Sequence, residues 1–347
     1  MTSAGKWKVE RQKWKARAIA FLVLTSTSTF GLPTSNVQVS LERYVSDPVA
    51  AVRDVSTTSL SDIASELRRD GTTWMLAKGA GQANQRRLIA ATFAIDVAGA
   101  QIDAAPNDVA LLVDWACEQV RKRLPSDAER QWQIAALALL EGVGNLQAVE
   151  AHLQHAVARF PAEPQWQHTR AWMADSKTLN VHPRQPVGAP HIVFPTSLAN
   201  QYRELTTIPA LASDAWTRLG FLHFLAGLHV DARAAFAHAE AEAAPTADGH
   251  TRYLSRLFSA WMSEREGHRD DAAREFAAAI DASTSGRTAA VWLATRYQID
   301  GRGADARAIA ARTLSAEASG TDPWRLFYRG DWRRWPELIT AARKAAQ

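Results

Sequence analysis

At 347 residues, 47% apolar and 22% charged, the chain is long for one compact core and too apolar for wholesale disorder. Two domains or an elongated repeat array remain. Its formal charge of +4 is concentrated at the start: residues 1–17 carry six basic side chains (Lys6, Lys8, Arg11, Lys13, Lys15, Arg17) against Glu10, which is +5 there and −1 for the rest, so no basic footprint for nucleic acid is left.

The basic start leads into Ala18-Ile-Ala-Phe-Leu-Val-Leu24, then a small, polar stretch ending at Pro33. A positive segment, a short apolar run and a polar end have the layout of a secretory signal, so residues 1–33 are expected to direct export to the periplasm or envelope. No A-x-A-like cleavage site is evident. An uncleaved membrane tether is the second reading, with Trp7 and Trp14 at the interface, although residues 18–32 fall short of the ~20 apolar residues a span needs. If the segment is a disordered basic tail, the protein is cytoplasmic.

Residues 34–47 read as extended and polar. Asp47-Pro48 has the form of a helix start, an acidic N-cap followed by Pro at the first helical position. Leu60, Ile63, Ala64 and Leu67 give a one-faced helix over 59–69 that should stop at Gly71. Further helices are expected over 84–102, 107–124, 126–141, 145–160 and 164–175. The lone Cys117 lies in an apolar helical run, where it reads as a small buried hydrophobe. Pro183, Pro186, Pro190 and Pro195 with Gly188 break the rhythm and mark a crossover or linker over 177–196. Helical patterning resumes at Ser197 and runs to the end. The body thus divides into helical blocks at 47–176 and 197–347. Helix-period patterns recur throughout while alternating Val/Ile/Thr runs are scarce, so the fold class is all-α.

The second block repeats a pattern. Gly227, Gly267 and Gly301 are each followed five residues later by Ala232, Ala272 or Ala306, and nine later by Phe236, Phe276 or Ala310. Seven residues before each glycine stands Gly220, Ala260 or Ala294. Small residues at such spacing let paired helices approach closely, and a glycine between them accepts positive φ at the turn. With Trp216, Leu219, Ala239 and Pro245, the first repeat resembles the tetratricopeptide signature, and Gly267 to Gly301 is the 34-residue period of that family. His223 stands where the family carries Tyr, Pro245 falls one residue late, and Arg256 replaces the tryptophan of the second repeat. Leu137, Leu140, Gly144, Val149, Leu153, Ala156 and Pro161 form a fainter, earlier copy, and residues 324–344 look like a terminal cap.

The resemblance implies a right-handed α-solenoid of antiparallel helix pairs, with a divergent N-terminal helical block. It also implies a non-catalytic interaction scaffold that holds a protein or peptide in its concave groove. Carried over by register, the groove positions are Thr217, Phe221 and Phe224 in the first repeat, Leu257, Trp261 and Arg265 in the second, and Val291, Thr295 and Gln298 in the third. The alternative is that the apolar members pack between helices, as apolar residues at helical spacing usually do. Family members that clamp a peptide's terminal carboxylate use a Lys, Asn and Arg set at these positions, which here are mostly Thr, Phe, Leu and Val, so a carboxylate clamp is not expected.

Catalytic constellations are thin. His152 and His155 have a chelating spacing but no HExxH, CxxC or obvious third ligand nearby, so no metal is expected. Gly79-Ala-Gly81 lacks the remainder of a phosphate loop, no G-x-S-x-G is present, and no cofactor is implied. The competing hypothesis is an all-α enzyme or accessory subunit with a site near the 176–195 crossover, where His182 and His191 lie.

Overall fold

A computed structural model describes residues 36–76, 80–101, 105–121, 126–179, 192–245, 248–315 and 322–330, together with 124 and 340. The leader at 1–33, His182, His191 and most of the 177–196 stretch lie outside the described residues, as does all but Thr340 of 331–347. All regular structure among the described residues is helical. The chain forms two compact units, one running to His152 and a second over Leu153–Arg333; the division falls inside a helix, upstream of the Pro-rich stretch.

In the first unit, α1 (Asn36–Tyr44) occupies a segment that the sequence suggested was extended. Its reason for being helical is a buried stripe of Val37, Ser40, Leu41 and Tyr44, at i, i+3, i+4 and i+7. The helix α2 (Pro48–Asp54) starts as expected, the Asp47 carboxylate accepting from the Ala50 amide at 3.2 Å. Ser59 caps α3 (Leu60–Glu66). Gly71 does not end that helix: the chain passes through a π turn at Leu67–Gly71 straight into α4 (Thr72–Leu76). Gly71 lies inside the turn, so no left-handed stop forms.

The rest of this unit is α5 (Ala80–Ala100), α6 (Pro106–Val120) and α7 (Ser126–Val143), with the start of α8 (Leu146–Arg159). Helix α6 packs on both α5 and α7. Cys117 is buried on α6 and burial pushes its thiol up to about 12, which suits packing and not reactivity.

The second unit contains α9 (Gln165–Leu179), α10 (Thr196–Leu205), α11 (Ala212–Leu225), α12 (His229–Ala243), α13 (Gly249–Glu266), α14 (Arg269–Ala282), α15 (Arg287–Ile299), α16 (Gly303–Ser315) and α17 (Pro323–Phe327). Its packing is repeat-like: α11 pairs with α12, α13 with α14 and α15 with α16, and each pair packs on the next. One turn serves all three pairs. Gly227, Gly267 and Gly301 have φ of 76°, 80° and 75°, and the residue after each donates its amide to a carbonyl five positions back (Leu228 to His223, His268 to Ser263, Arg302 to Tyr297). This is the Schellman cap, which satisfies carbonyls a helix end would otherwise leave orphaned. Gly144, in the fainter copy, has φ 75° and makes the same bond from Asn145 to Leu140.

Close contact accounts for the small residues. A Cβ on Gly220 would lie 2.5 Å from the Phe236 ring, so the aromatic of α12 seats directly on α11. Ala232, Ala239, Ala260, Ala272 and Ala279 are fully buried. At the place of Trp216 in the first pair the second carries Arg256, which reaches Glu240 at 2.6 Å and Glu275 at 3.0 Å and so bridges three helices.

Candidate binding groove

The first helices of the three pairs, α11, α13 and α15, carry the positions that the sequence nominates for binding. They divide sharply. Thr217, Phe221, Phe224, Leu257 and Trp261 are all at most 1% exposed. Arg265 is half-buried, its guanidinium 4.5 Å from the centre of the Phe224 ring, and burial lowers its pKa. Val291, Thr295 and Gln298 are exposed.

The covering group is the chain's own segment 322–330. Trp324 lies 5.7 Å from Phe221 and 4.9 Å from Trp261, edge-on to both rings. Phe327 stands 5.1 Å from Phe221 and 5.3 Å from Phe258, again edge-on, and Tyr328 closes on Trp324 at 4.8 Å. Edge-to-face pairs at these separations each contribute about 0.5–1.5 kcal/mol beyond the area they bury. Phe221, Phe224, Leu257 and Trp261 therefore share one core with Trp324 and Phe327, whereas the α15 positions stay open.

Polar groups fix the segment at both ends. The Asp322 carboxylate accepts from the Thr288 amide at 2.6 Å, at the start of α15, and from the Tyr253 hydroxyl at 3.4 Å. A carboxylate is favoured there by the exposed amides and dipole of a helix N-terminus. Asp322 also caps α17 through the Trp324 amide at 2.8 Å. At the far end, Arg218 donates to the carbonyls of Phe327 at 2.9 Å and Gly330 at 3.2 Å, and Trp172 Nε1 donates to the Tyr328 carbonyl at 3.0 Å.

Arg218 is 2% exposed and sits in a buried charge cluster. Its Nε donates to Asp214 at 2.7 Å, and Asp214 also meets His168 Nε2 at 2.7 Å. Asp175 lies 3.6 Å from the guanidinium and accepts from the Tyr202 hydroxyl at 3.1 Å. Burial pushes the Asp175 carboxyl up to about 6, against the pull of Arg218 and the Tyr202 hydrogen bond. Burial works against the Arg218 charge too, but Asp214 and Asp175 outweigh it and raise its pKa. Tyr328 is raised well above its usual value, by burial and then by Asp175. Among the described residues, three polar atoms of this region, His168 Nδ1, Trp261 Nε1 and the Tyr328 hydroxyl, are buried with no hydrogen-bond partner.

The charge cluster and the aromatic cover were the parts missed from sequence. A sequence signal existed for the cover: Trp324, Phe327 and Tyr328 fall at i, i+3 and i+4 after an Asp-Pro helix start. For the cluster, only the i, i+4 pair Asp214 and Arg218 was visible, and such pairs are usually solvated.

A concavity of about 390 Å³ is lined by Arg233, Glu266, His268, Asp271, Arg274 and neighbouring residues. Its charges are paired with one another: Glu266 takes Arg233 and His268, and Asp271 takes Arg274. Among the described residues, no group of three or more His, Cys, Asp or Glu is placed to hold a metal ion, and no helix is long and apolar enough to cross a membrane. No family model matches the chain, and no curated protein matches it either.

Proposed function

We propose that the protein is a tetratricopeptide-like solenoid that acts as a non-catalytic scaffold, holding a protein or peptide partner on the face formed by the first helices of its repeats. The observation that carries this reading is the seating of residues 322–330 against α11 and α13: that face accommodates a short aromatic segment and binds its backbone carbonyls. The three identical Schellman turns and the small residues between paired helices support the family resemblance. The exposed row Val291, Thr295 and Gln298 continues the face onto α15 and offers open contact surface. The signal-like layout of residues 1–33 supports an envelope location, exported or tethered.

The test is affinity capture with the full chain from membrane and soluble fractions, in parallel with the variant Thr295→Arg/Gln298→Arg. A partner retained by the parent and lost by the variant is expected, with N-terminal mass reporting whether residues 1–33 persist. If everything captured by the parent is also captured by the variant, the groove reading fails.

A further inference from the structure

We infer that the face of α11 and α13 is a receptor site for a peptide carrying an aspartate ahead of aromatic residues, and that residues 322–330 occupy it in cis as a surrogate for that ligand. The inference rests on the scaffold reading above and specifies the occupant's chemistry.

The segment is held as a bound peptide is held. Its single carboxylate, Asp322, docks on the first turn of α15. Three rings, Trp324, Phe327 and Tyr328, pack against Phe221, Phe258, Trp261 or one another. Arg218 and Trp172 then donate to backbone carbonyls at the far end. Those last bonds do not depend on side-chain identity, so any peptide on the same path can make them. The carboxylate and rings supply selectivity: an acidic residue with aromatics two, five and six positions later. Tryptophan and tyrosine are the side chains that most often anchor interfaces.

Two further observations bear on how this segment is held. The helix α17 has only five residues, too few to be stable alone, so its order comes from the surface it lies on. Its fit is also incomplete, since among the described residues Trp261 Nε1 and the Tyr328 hydroxyl are buried with no hydrogen-bond partner. A buried donor without an acceptor is costly, and a partner peptide with an acceptor in reach of Trp261 gains over the cis segment. The competition is nonetheless steep, because a tethered segment acts at an effective concentration in the millimolar range.

The probe is a labelled synthetic peptide with the sequence of residues 321–331, titrated into the full chain and into its variant Trp324→Ala/Phe327→Ala. The variant should bind at least tenfold more tightly than the parent, and a peptide carrying Asp322→Asn should bind the variant several-fold more weakly. A variant that keeps the parent's helical circular dichroism yet binds no better overturns the inference. So does a parent that dimerises with rising concentration and is made monomeric by the peptide, since the occupant is then a second copy. Should the variant lose helix, hydrogen exchange on the parent decides. With saturating peptide, the amides of 324–328 should exchange at least tenfold faster, and an unchanged rate overturns the inference. A captured partner that depends on Thr295 and Gln298 but ignores the peptide leaves the scaffold standing and removes cis occupancy. Peptide binding by the variant with no captured partner does the reverse.

Discussion

Arg218 holds Phe327 twice over: its guanidinium lies 4.8 Å from the ring centre and donates to the carbonyl of the same residue at 2.9 Å, across 109 positions of sequence. Arg218→Leu takes the cation from two buried carboxylates, leaving His168 beside Asp214 and the Tyr202 hydroxyl on Asp175. A loss of about 3–5 kcal/mol in urea unfolding is expected, the range for breaking a buried ion pair from one side. Arg218→Lys should lose less, since a point charge keeps one carboxylate but cannot span both and reach the carbonyls. Adding Asp214→Asn and Asp175→Asn to the leucine variant should recover part of the loss. Equal stability of the single and triple variants would contradict the arrangement.

Two glycines should fail for different reasons. Gly220→Ala drives a methyl into the Phe236 ring, and about 1–3 kcal/mol of overpacking is expected. Gly267→Ala meets nothing within 4 Å, so its cost of about 1–2 kcal/mol is purely that of holding an L-residue at φ 80°. A double variant with Phe236→Leu separates them in thermal unfolding. It should relieve the Gly220 substitution and leave the Gly267 one untouched.

The raised Asp175 carboxyl gives a pH dependence opposite to that of an ordinary ion-paired acid. Its ordinary value is 3.8 and its folded value about 6, so between those pH values the native state holds the extra proton. Its stabilising effect is complete below about pH 4 and is lost as pH rises through about 6. The span is on the order of 2–3 kcal/mol for a shift of about two units. Asp175→Asn should flatten the urea midpoint across this window. An unchanged slope would show that Asp175 does not titrate there.

Arg256 offers a milder test. Its side chain is 40% exposed, so Arg256→Ala should cost no more than about 1 kcal/mol and less in high salt. Arg256→Trp, which copies the residue at the same register of the first pair, leaves Glu240 and Glu275 without their bridge. Chemical denaturation at two ionic strengths distinguishes the cases.

Much of the second unit was legible in sequence because its constraints are local. A positive-φ turn demands glycine, a close crossing demands a small residue, and both recur at fixed spacing. Helix limits came within a few residues wherever Pro or an N-cap marked them. Residues 36–44 were misread because four buried positions in nine residues are a weak periodic signal. Gly71 was misread because a glycine stops a helix only when it turns left-handed. The burial of Phe221, Phe224, Leu257 and Trp261 could not be read, since register tells which way a side chain points and not what lands on it. The landing segment is separated from its seat by up to 112 residues, beyond the reach of any local pattern.

That separation has a consequence for synthesis. A chain made from its N-terminus completes Arg218 and the aromatic faces of α11 and α13 well before Phe327 exists. At the usual 5–20 residues per second, the 109-residue interval is about 5–20 s. Over that interval Phe221 is made but its cover is not, so a sticky aromatic surface faces the ribosome exit and whatever waits there. The nascent protein thus passes through an adhesive state on every round of translation, and the emergence of residues 322–330 ends it.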